Sequence, residues 1–318
     1  MRILMRILKK RGLKHIFNVI RLNWTNIDWW RLQILQFLCS VIFRSNNGFY
    51  ILEEDFDNLI ILDACRYDLF KEEIKNWNIK GNLEYRISRG SDTLAFLLEN
   101  FENKRFEKAC KEIVYVSANP FVSRELKNKF YKIIPVWLHG WDEELNTVLP
   151  EAVYEAALQA AIKYRGKKLI IHFMQPHSPF IKLSKLAQLD NSLTRLREAT
   201  LSGKAQKVHL GTWELLRKGV ITKDKVIWGY RENIKIVLPY VEKLCKILPG
   251  KTVVTADHGE ALGEKIHPLI PLRIYEHPTG NIRIESLIKV PWFISEEKGS
   301  IDNVEREIIK LKIKRLKR

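Results

Sequence analysis

Short apolar runs rich in β-branched residues alternate with amphipathic stretches from about residue 56 onward. Five of these runs predict strands, at residues 58–62, 113–117, 168–173, 251–255 and 290–294. Residues 151–164 and 233–248, which lie between them, have the apolar spacing of helices. Strands that alternate with helices predict an α/β fold with a mainly parallel central sheet and helices on both faces.

The two ends of the chain have a different pattern. Residues 1–24 place apolar residues at helical spacing between basic ones and predict a basic amphipathic helix. Residues 32–43 are apolar but include two glutamines, and they are too few for a membrane span, so we interpret them as a core-packing helix. We therefore expect a basic N-terminal helical region (1–45), one α/β domain that would carry any catalytic site (46–300) and a basic C-terminal tail (301–318).

The net charge of +17 is concentrated at these ends. Residues 1–24 contain seven Lys or Arg residues and no acid, and residues 304–318 contain seven against two glutamates. Basic arms around a nearly neutral body favour contact with a polyanionic surface, such as the anionic face of a membrane, although a solvated tail would have the same composition. No zinc-finger spacing or recognition-helix pattern is present, which argues against a nucleic acid as the partner.

The four cysteines show no paired spacing, and the start of the chain lacks the apolar run and cleavage site of a secretory signal. We therefore expect reduced thiols, no transmembrane helix and a cytoplasmic location, with the inner face of the membrane as the place of any peripheral contact.

Acidic and imidazole side chains follow several of the predicted strands. Asp63 comes directly after the first strand, Asp257 and His258 follow the fourth, and His172 and His177 lie within and just after the third. In open α/β sheets, ligands bind at the carboxyl ends of the strands. Because two carboxylates and an imidazole suit a divalent ion, we expect Asp63, Asp257 and His258 to bind a metal.

A nucleophile that also completes this metal shell is expected in residues 88–100. Gly90 breaks the chain there, and the pattern after Ser91 becomes helical. A serine at a helix N-cap presents its hydroxyl beside free backbone N–H groups, which favour a tetrahedral anion. Ser91 is therefore the candidate nucleophile and metal ligand, although an ordinary N-cap is the simpler interpretation of this serine taken alone.

These segments resemble the alkaline phosphatase/sulfatase superfamily, and especially its sulfatase-like branch, which includes lipoteichoic acid synthases and phosphoethanolamine transferases. The similar segments occur in order over about residues 56–295. They are LIILDACRYD, RGSDTLAFLLEN, HFMQPHSPF, TADHGEALGE and YEHP, followed by VPW. The combination of TADHGE with PHSPF at this separation is fairly specific to that branch.

The resemblance implies an alkaline phosphatase-like fold and a metal-dependent hydrolase or transferase that acts on phosphoesters, including those linked to glycans or lipids. Asp63 is similar to the first metal carboxylate, the Asp257–His258 pair to the D-H-G metal pair, and Ser91 to the nucleophile. His177 is similar to the substrate-side histidine of the branch. The implied cofactor is one divalent ion, Mn²⁺, Zn²⁺, Mg²⁺ or Ca²⁺.

The chain departs from the superfamily pattern in two segments. A formylglycine sulfatase needs C-x-P-x-R at the nucleophile, whereas SDTLA lacks both the proline and the arginine, so phosphoester chemistry is favoured. Thr93 is the alternative nucleophile, because a shift of two residues would place it at the helix cap.

Two-metal members carry a D-x-x-x-H element, which HFMQPH lacks, so one tightly held metal is expected. His177 and His277 remain candidates for a weaker second ion.

The expected mechanism forms a covalent phosphoenzyme on the nucleophile, which water or an acceptor hydroxyl then resolves. His177 or His277 would bind a phosphate oxygen or protonate the leaving alkoxide. Arg66 and Arg89 flank two of the motifs and are candidates for a bidentate clamp on the anion, and His172 is a further candidate for contact with the substrate.

Two other functions stay open at this point. The first is a sulfate-ester hydrolase that uses an unmodified serine. The second is a non-catalytic binder of polyanions that uses the basic arms and some of the nine tryptophans.

Overall fold

The computed structural model describes residues 17–18, 20–21, 23–43, 45–202, 211–267, 270–279 and 282–316. The helices are α1 (Ile27–Ile42), α2 (Tyr67–Glu73), α3 (Thr93–Phe101), α4 (Glu107–Cys110), α5 (Pro120–Glu125), α6 (Pro150–Lys163), α7 (Ser184–Leu189), α8 (Ser192–Ser202), α9 (Thr212–Arg217), α10 (Lys223–Ile247), α11 (Glu285–Ile288) and α12 (Ile301–Leu316). The strands are β1 (Asn58–Leu62), β2 (Gly81–Ile87), β3 (Ile113–Ser117), β4 (Lys132–Pro135), β5 (Trp141–Asp142), β6 (Thr147–Val148), β7 (Lys168–Phe173), β8 (Thr252–Ala256), β9 (Ala261–His267), β10 (Ile270–Glu276) and β11 (Lys289–Ser295).

A seven-stranded central sheet has the order β2-β11-β8-β1-β7-β3-β4. Strands β8, β1, β7, β3 and β4 are parallel neighbours, and β11 runs antiparallel to β8 and β2. Helices return the chain between the parallel strands, as right-handed crossover connections require. The carboxyl ends of β8, β1, β7 and β3 therefore lie side by side along one edge of the sheet, here called the carboxyl edge.

Both faces of the sheet are buried by helices, which confirms the predicted fold class. On β1, Ile60 and Leu62 belong to the larger core cluster, whereas Leu59 and Ile61 belong to the second cluster on the opposite face. Residues of α6 and α10 complete the first cluster, and residues of α3 and α5 complete the second. A continuous apolar run with both faces buried is the pattern expected of a central parallel strand.

The predicted strands agree closely with the observed ones. Strands β1, β3 and β7 have the predicted bounds, β8 begins and ends one residue later, and β11 is one residue longer at each end. The pattern missed β2 and β4, and it missed the two small sheets formed by β5 with β6 and by β9 with β10. Among the described strands, β2 pairs only with β11, and its residues are exposed or half-buried, so it lacks a continuous apolar run.

The helical ends of the chain also differ from the expectations. In α1, Cys39 is buried but Ile34 and Phe37 are 55% and 67% exposed, so this helix packs into the core on one side only. Residues 301–316, expected as a tail, form α12, which packs on α6. The predicted amphipathic helix over residues 1–24 lies mostly outside the described residues. The domain bounds stay a prediction.

No helix in the described ranges is long and apolar enough to cross a membrane. The four cysteines are free thiols, as predicted.

Candidate metal centre and nucleophile

The turn after β1 positions Asp63 at the carboxyl edge. Ala64 follows with a φ of 58°, an uncommon left-handed conformation for a residue other than glycine, and this conformation turns the chain sharply behind the carboxylate. The hydroxyl of Tyr230 on α10 donates to Ala64 O at 2.5 Å and accepts from Arg66 N at 2.9 Å. A backbone strain of this kind persists only where surrounding contacts hold it, and it is concentrated at functional sites.

The turn after β8 brings Asp257 beside this carboxylate. The backbone N–H groups of Ala64 and His258 both donate to Asp257 Oδ1, at 3.0 and 2.9 Å. Ser88 Oγ donates to the backbone carbonyl of Asp257 at 2.5 Å, which ties this turn to the segment before α3. The Oδ1 atom of Asp257 is thus fixed by the backbone, and its Oδ2 faces the imidazoles of His258 and His172.

The N-terminus of α3 carries Thr93 into the same place. Thr93 Oγ1 lies 3.2 Å from His258 Nε2, and it is the first residue of a nine-residue helix. The expectation that Ser91 caps this helix is wrong, because the N-cap is Asp92, whose side chain accepts from Ala95 N at 2.9 Å. Ser91 is buried, and its hydroxyl accepts a hydrogen bond from Ile282 N at 3.3 Å.

The three predicted metal ligands converge. Among the described residues, Asp63, Asp257 and His258 place one ligand atom each within 4.8 Å of one another, and all three are buried. His258 Nε2 is 3.8 Å from Asp63 Oδ1 and 3.4 Å from Asp257 Oδ2.

His172 on β7 enters the same cluster. Its Nε2 is 3.7 Å from Asp63 Oδ2 and 3.9 Å from Asp257 Oδ2, and its Nδ1 lies 3.0 Å from the hydroxyl of Tyr115 on β3. Sequence reasoning placed His172 on the substrate side and did not single out Tyr115. The structure puts this imidazole among the carboxylates, where it offers a further ligand atom.

Asn119 is a second residue that the sequence left without a role. Its Nδ2 donates to Asp63 Oδ2 at 2.6 Å, and its Oδ1 accepts from Phe121 N at 2.9 Å as the N-cap of α5. Because the oxygen is fixed by an N–H donor, the nitrogen must face the carboxylate. Asn119 follows β3 by two residues, so the rule that singled out Asp63 would have found it once β3 was known to be central.

The two carboxyls have opposite pKa directions. Burial, and then the charge of Asp257, raise the pKa of Asp63 well above its ordinary value. Burial also opposes ionisation of Asp257, but His258, His172 and the N–H of Ala64 hold its pKa below the ordinary value. Thr93 favours the ionised form of both carboxyls through its hydroxyl. Two buried carboxyls in contact resist double ionisation, and a cation between them removes that penalty.

Backbone carbonyl groups fix the tautomers of two imidazoles, His258 and His177. Burial lowers the pKa of His258 to about 4, and His258 Nδ1 donates to Gly259 O at 2.7 Å, which leaves Nε2 unprotonated and directed at the cluster. His177 Nδ1 donates to Ser178 O in the same way. Burial and the nearby His177 lower the pKa of His277 to about 3. The rings of His258 and His277 are 4.4 Å apart and those of His277 and His177 are 5.0 Å apart, so the three imidazoles form a row that leads away from the cluster.

Glu260 supports this row. It is buried, its Oε1 lies 2.9 Å from His277 Nδ1, and burial raises its pKa to about 7. The sequence analysis included Glu260 in the TADHGE segment but predicted no role for it.

Asn233 on α10 holds the loop that carries His177. Its Nδ2 donates to the carbonyl oxygens of His177 and Pro179, both at 3.1 Å.

The two arginines are bound to other partners. Arg66 pairs with Asp68 at 2.7 Å and with Glu264 at 2.5 Å, and with Glu264 it lines a cavity of about 300 Å³. Arg89 donates to Gly48 O at 2.6 Å and stacks on the ring of Tyr50. A clamp on the substrate by either guanidinium stays a prediction, and Arg66 would have to exchange a carboxylate for the substrate anion.

The donor set fits a divalent cation. Three buried atoms in the cluster, Asp63 Oδ1, Asp257 Oδ2 and His172 Nε2, have no hydrogen-bond partner among the described residues. Buried polar atoms are normally paired, because an unpaired one costs the free energy of its lost hydration. Carboxylate oxygens and unprotonated imidazole nitrogens are ligands for Zn²⁺ and Mn²⁺.

These features define a class of protein: a mainly parallel α/β sheet with a buried Asp–Asp–His cluster and a helix N-terminal hydroxyl at its carboxyl edge. No family model matches the chain, and no curated protein matches it.

Solved structures do match. The soluble domain of lipooligosaccharide phosphoethanolamine transferase A from Neisseria meningitidis is 14% identical with a TM-score of 0.45, over 75% of this chain and 76% of that chain. The C-terminal periplasmic domain of EcEptC from Escherichia coli, in complex with Zn, is 12% identical with a TM-score of 0.45, over 82% of this chain and 78% of that chain. The lipoteichoic acid synthase LtaP from Listeria monocytogenes is 13% identical with a TM-score of 0.42, over 83% of this chain and 72% of that chain.

At these identities and TM-scores, the functional assignment rests on the residues of this chain.

Proposed function

We propose that this protein is a metal-dependent phosphoester hydrolase or transferase in which Thr93 forms the covalent intermediate. The observation that carries the proposal is the position of Thr93 Oγ1, which lies 3.2 Å from His258 Nε2 at the first residue of α3. A hydroxyl there faces the positive end of a helix and the proposed ligands at once. Ser91, one residue before the N-cap, is the alternative nucleophile.

Asp63, Asp257 and His258 would hold the metal, with His172 as an additional ligand. When bound, a divalent ion supplies Lewis acidity, which lowers the pKa of a hydroxyl and screens phosphate oxygens. Asn119 keeps Asp63 in position, and the backbone N–H groups of Ala64 and His258 keep Asp257 in position.

The reaction proceeds in two displacements. Thr93 Oγ1 attacks phosphorus, a new O–P bond forms, and the bond to the leaving alkoxide breaks while the hydroxyl proton is passed to that alkoxide. Water or an acceptor hydroxyl then attacks phosphorus, its oxygen forms a new O–P bond, and the bond between phosphorus and Thr93 Oγ1 breaks. The proton of the attacking group passes to Oγ1 and restores the Thr93 hydroxyl. His177 and His277 bind the phosphate oxygens or relay the proton, because their rings continue the row of imidazoles that begins at His258. They are also the candidates for a weaker second ion.

The proposed substrate is an anionic phosphoester, attached to a glycan or a lipid. Peripheral contact with an anionic membrane is part of the proposal, and it is supported by the basic residues at both ends of the chain. The cytoplasmic location stays a prediction.

The test combines metal analysis with turnover. The purified protein is analysed for bound metals and assayed with bis-p-nitrophenyl phosphate, p-nitrophenyl phosphate and p-nitrophenyl sulfate. We expect stoichiometric metal and cleavage of a phosphoester, both lost in Asp257→Ala. Thr93→Ala should keep the metal but lose turnover and the phosphothreonine found by peptide mass spectrometry, whereas Ser91→Ala should keep all three. Turnover in Thr93→Ala that is lost in Ser91→Ala would move the nucleophile to Ser91, and cleavage of the sulfate alone would refute the phosphoester assignment.

A further inference from the structure

Helix α12 has two apolar faces. Val304, Ile308 and Leu311 face the protein and pack in the main core cluster. Ile309, Ile313 and Leu316 are instead 56%, 47% and 87% exposed. These three residues are spaced by four and three positions, so they form one continuous stripe, here called the outer face of α12.

Cationic side chains border this stripe. At 100° per residue, Lys312 lies on one side of the outer face of α12 and Lys310 on the other. Both lysines are exposed, as are Lys314 and Arg315. An apolar stripe bordered by lysines is the arrangement of helices that lie in a lipid–water interface, where the apolar residues enter the acyl region and the cations meet anionic headgroups.

The outer face of α12 extends toward the carboxyl edge of the sheet. Helix α6 leads into β7, so α6 begins at the carboxyl edge and ends at the opposite edge. Arg165, just after α6, pairs with Glu305 near the start of α12, and Arg315 near the end of α12 pairs with Glu155 near the start of α6. The two helices are therefore antiparallel, and the basic end of α12 lies toward the edge that holds the metal cluster.

Helix α1 also lies at this edge. Cys39 packs in a cluster with Ala261, Ile282 and Leu287, and Ala261 directly follows the DHGE segment of the site. On its other side α1 exposes Ile34 and Phe37, together with Ile27, at 55%, 67% and 69%. These residues, spaced by seven and three, are here called the outer face of α1. Residues 1–24, which precede α1 in the sequence, contain seven cationic residues and no acid.

We propose that the carboxyl edge of this protein docks on an anionic lipid surface through the outer faces of α1 and α12. Both faces expose apolar side chains, and both lie toward the carboxyl edge that holds the site. Lysines border the outer face of α12, and a basic segment precedes α1 in the sequence. A lipid surface matches both components, because it offers an acyl layer beneath negative headgroups. The docking surface stands without the proposed reaction, but its use in presenting a lipid-linked substrate rests on the proposed function.

The experiment measures cosedimentation of the full chain with vesicles rich in phosphatidylglycerol and with vesicles of phosphatidylcholine alone. Wild type should bind the first, less strongly as salt rises, and not the second. Lys310→Glu/Lys312→Glu should weaken binding by about thirtyfold or more, since each cation near an anionic surface accounts for about a fivefold gain. Ile309→Ser/Ile313→Ser and Ile34→Ser/Phe37→Ser should each weaken it by about tenfold or more.

The control variants place one lysine-to-glutamate change and one change of an exposed aromatic residue to serine at the opposite edge. Lys108 is exposed on α4, just before β3 begins, and Tyr131 is 53% exposed just before β4 begins. Lys108→Glu and Tyr131→Ser should leave vesicle binding unchanged. Hydrolysis of bis-p-nitrophenyl phosphate and metal content, which do not need the membrane, should be unchanged in all of these variants.

Three results would overturn the proposal. The first is that wild type does not bind phosphatidylglycerol vesicles. The second is that the control variants lose as much vesicle binding as the test variants. The third is a concentration-dependent dimer in sedimentation velocity that Ile309→Ser/Ile313→Ser abolishes. The last would make the outer face of α12 a contact between two copies of the chain. Vesicle binding without any phosphoester turnover would refute the proposed function and support the docking surface.

Discussion

Removal of the Asn119 side chain should weaken metal binding without unfolding the protein. Asn119 Nδ2 donates to Asp63 Oδ2 at 2.6 Å, and both residues are buried. A hydrogen bond to a charged partner contributes about 1.5–3 kcal/mol, and loss of a partner that orients a metal ligand lowers metal affinity by about 10- to 100-fold. Asn119→Ala should therefore raise the metal dissociation constant by roughly that factor.

The same contact sets the pH dependence of binding. The hydrogen bond from Asn119 lowers the pKa of Asp63, although burial and Asp257 raise it further. Without the amide, Asp63 binds a proton more tightly, and a metal ion must displace that proton. The loss of affinity in Asn119→Ala should therefore be larger at pH 6 than at pH 8.

Competition with a chromophoric chelator measures both effects with Zn²⁺ and Mn²⁺. Asn100→Ala is the matched control, because Asn100 is also buried, accepts from Ile51 N and donates to Phe96 O, but lies outside the cluster. Loss of the cap to Phe121 N will lower stability in Asn119→Ala by about 1 kcal/mol, so urea denaturation must show that both variants are folded at the assay temperature. An unchanged dissociation constant in folded Asn119→Ala would refute the reasoning.

Three further outcomes are expected. Thr93→Ala should reduce phosphodiester turnover by on the order of 10³-fold or more in steady-state assays, while Ser91→Ala stays within about tenfold of wild type. Burial lowers the pKa of His172 and His258 to about 4, whereas an unfolded histidine titrates near 6.5, so the unfolded chain binds more protons in this window. Each of these histidines should then lower the free energy of unfolding of the metal-free protein by up to about 1.4 kcal/mol per pH unit as the pH falls from about 6.5 to 4, whereas the raised pKa values of Asp63 and Glu260 act in the opposite direction. Urea titrations over this window should therefore show that His172→Gln loses less stability per pH unit than wild type. Tyr115→Phe removes the hydroxyl 3.0 Å from His172 Nδ1 and should weaken metal affinity by about tenfold in the chelator assay, and no change would exclude His172 as a ligand held by Tyr115.

Sequence reasoning found the residues that follow central strands. Asp63, Asp257 and His258 were predictable because β1 and β8 are continuous apolar runs and the polar residues come directly after them. The rule needs only the strand ends, since parallel strands bring their carboxyl ends to one edge whatever their order. The fold class followed from the same runs.

The choice between the two candidate nucleophiles depends on local geometry that composition does not encode. Ser91 and Thr93 flank Asp92, and all three residue types are found at helix N-termini. Which hydroxyl reaches the cluster is decided by the residue that caps α3, and the hydrogen bond from Ala95 N to Asp92 assigns the cap to Asp92. A shift of one residue in the cap turns the next side chain by about 100° around the helix.

Strand order explains why Asn119 and Tyr115 were missed. Strand β3 pairs with β7, which pairs with β1, so β3 is two strands away from Asp63. The sequence does not give that order, and an asparagine before a proline is also an ordinary helix cap, which Asn119 is as well. One side chain thus fixes the start of α5 with its oxygen and Asp63 with its nitrogen.

The electrostatics of the cluster link its fold to its chemistry. Asp63 and Asp257 are both fully buried, and each raises the cost of ionising the other, yet each is fixed by donors that favour its charged form, from Asn119 and from the N–H of Ala64. Donors placed in this way stabilise a charge that the carboxyl pair alone would suppress. Asp63, Asp257 and the Nε2 of His258 could hold a divalent cation, whose charge would compensate both carboxylates and so resolve this conflict. The arrangement is therefore preorganised for a cation, and the hydroxyl of Thr93 lies where that charge would act on it.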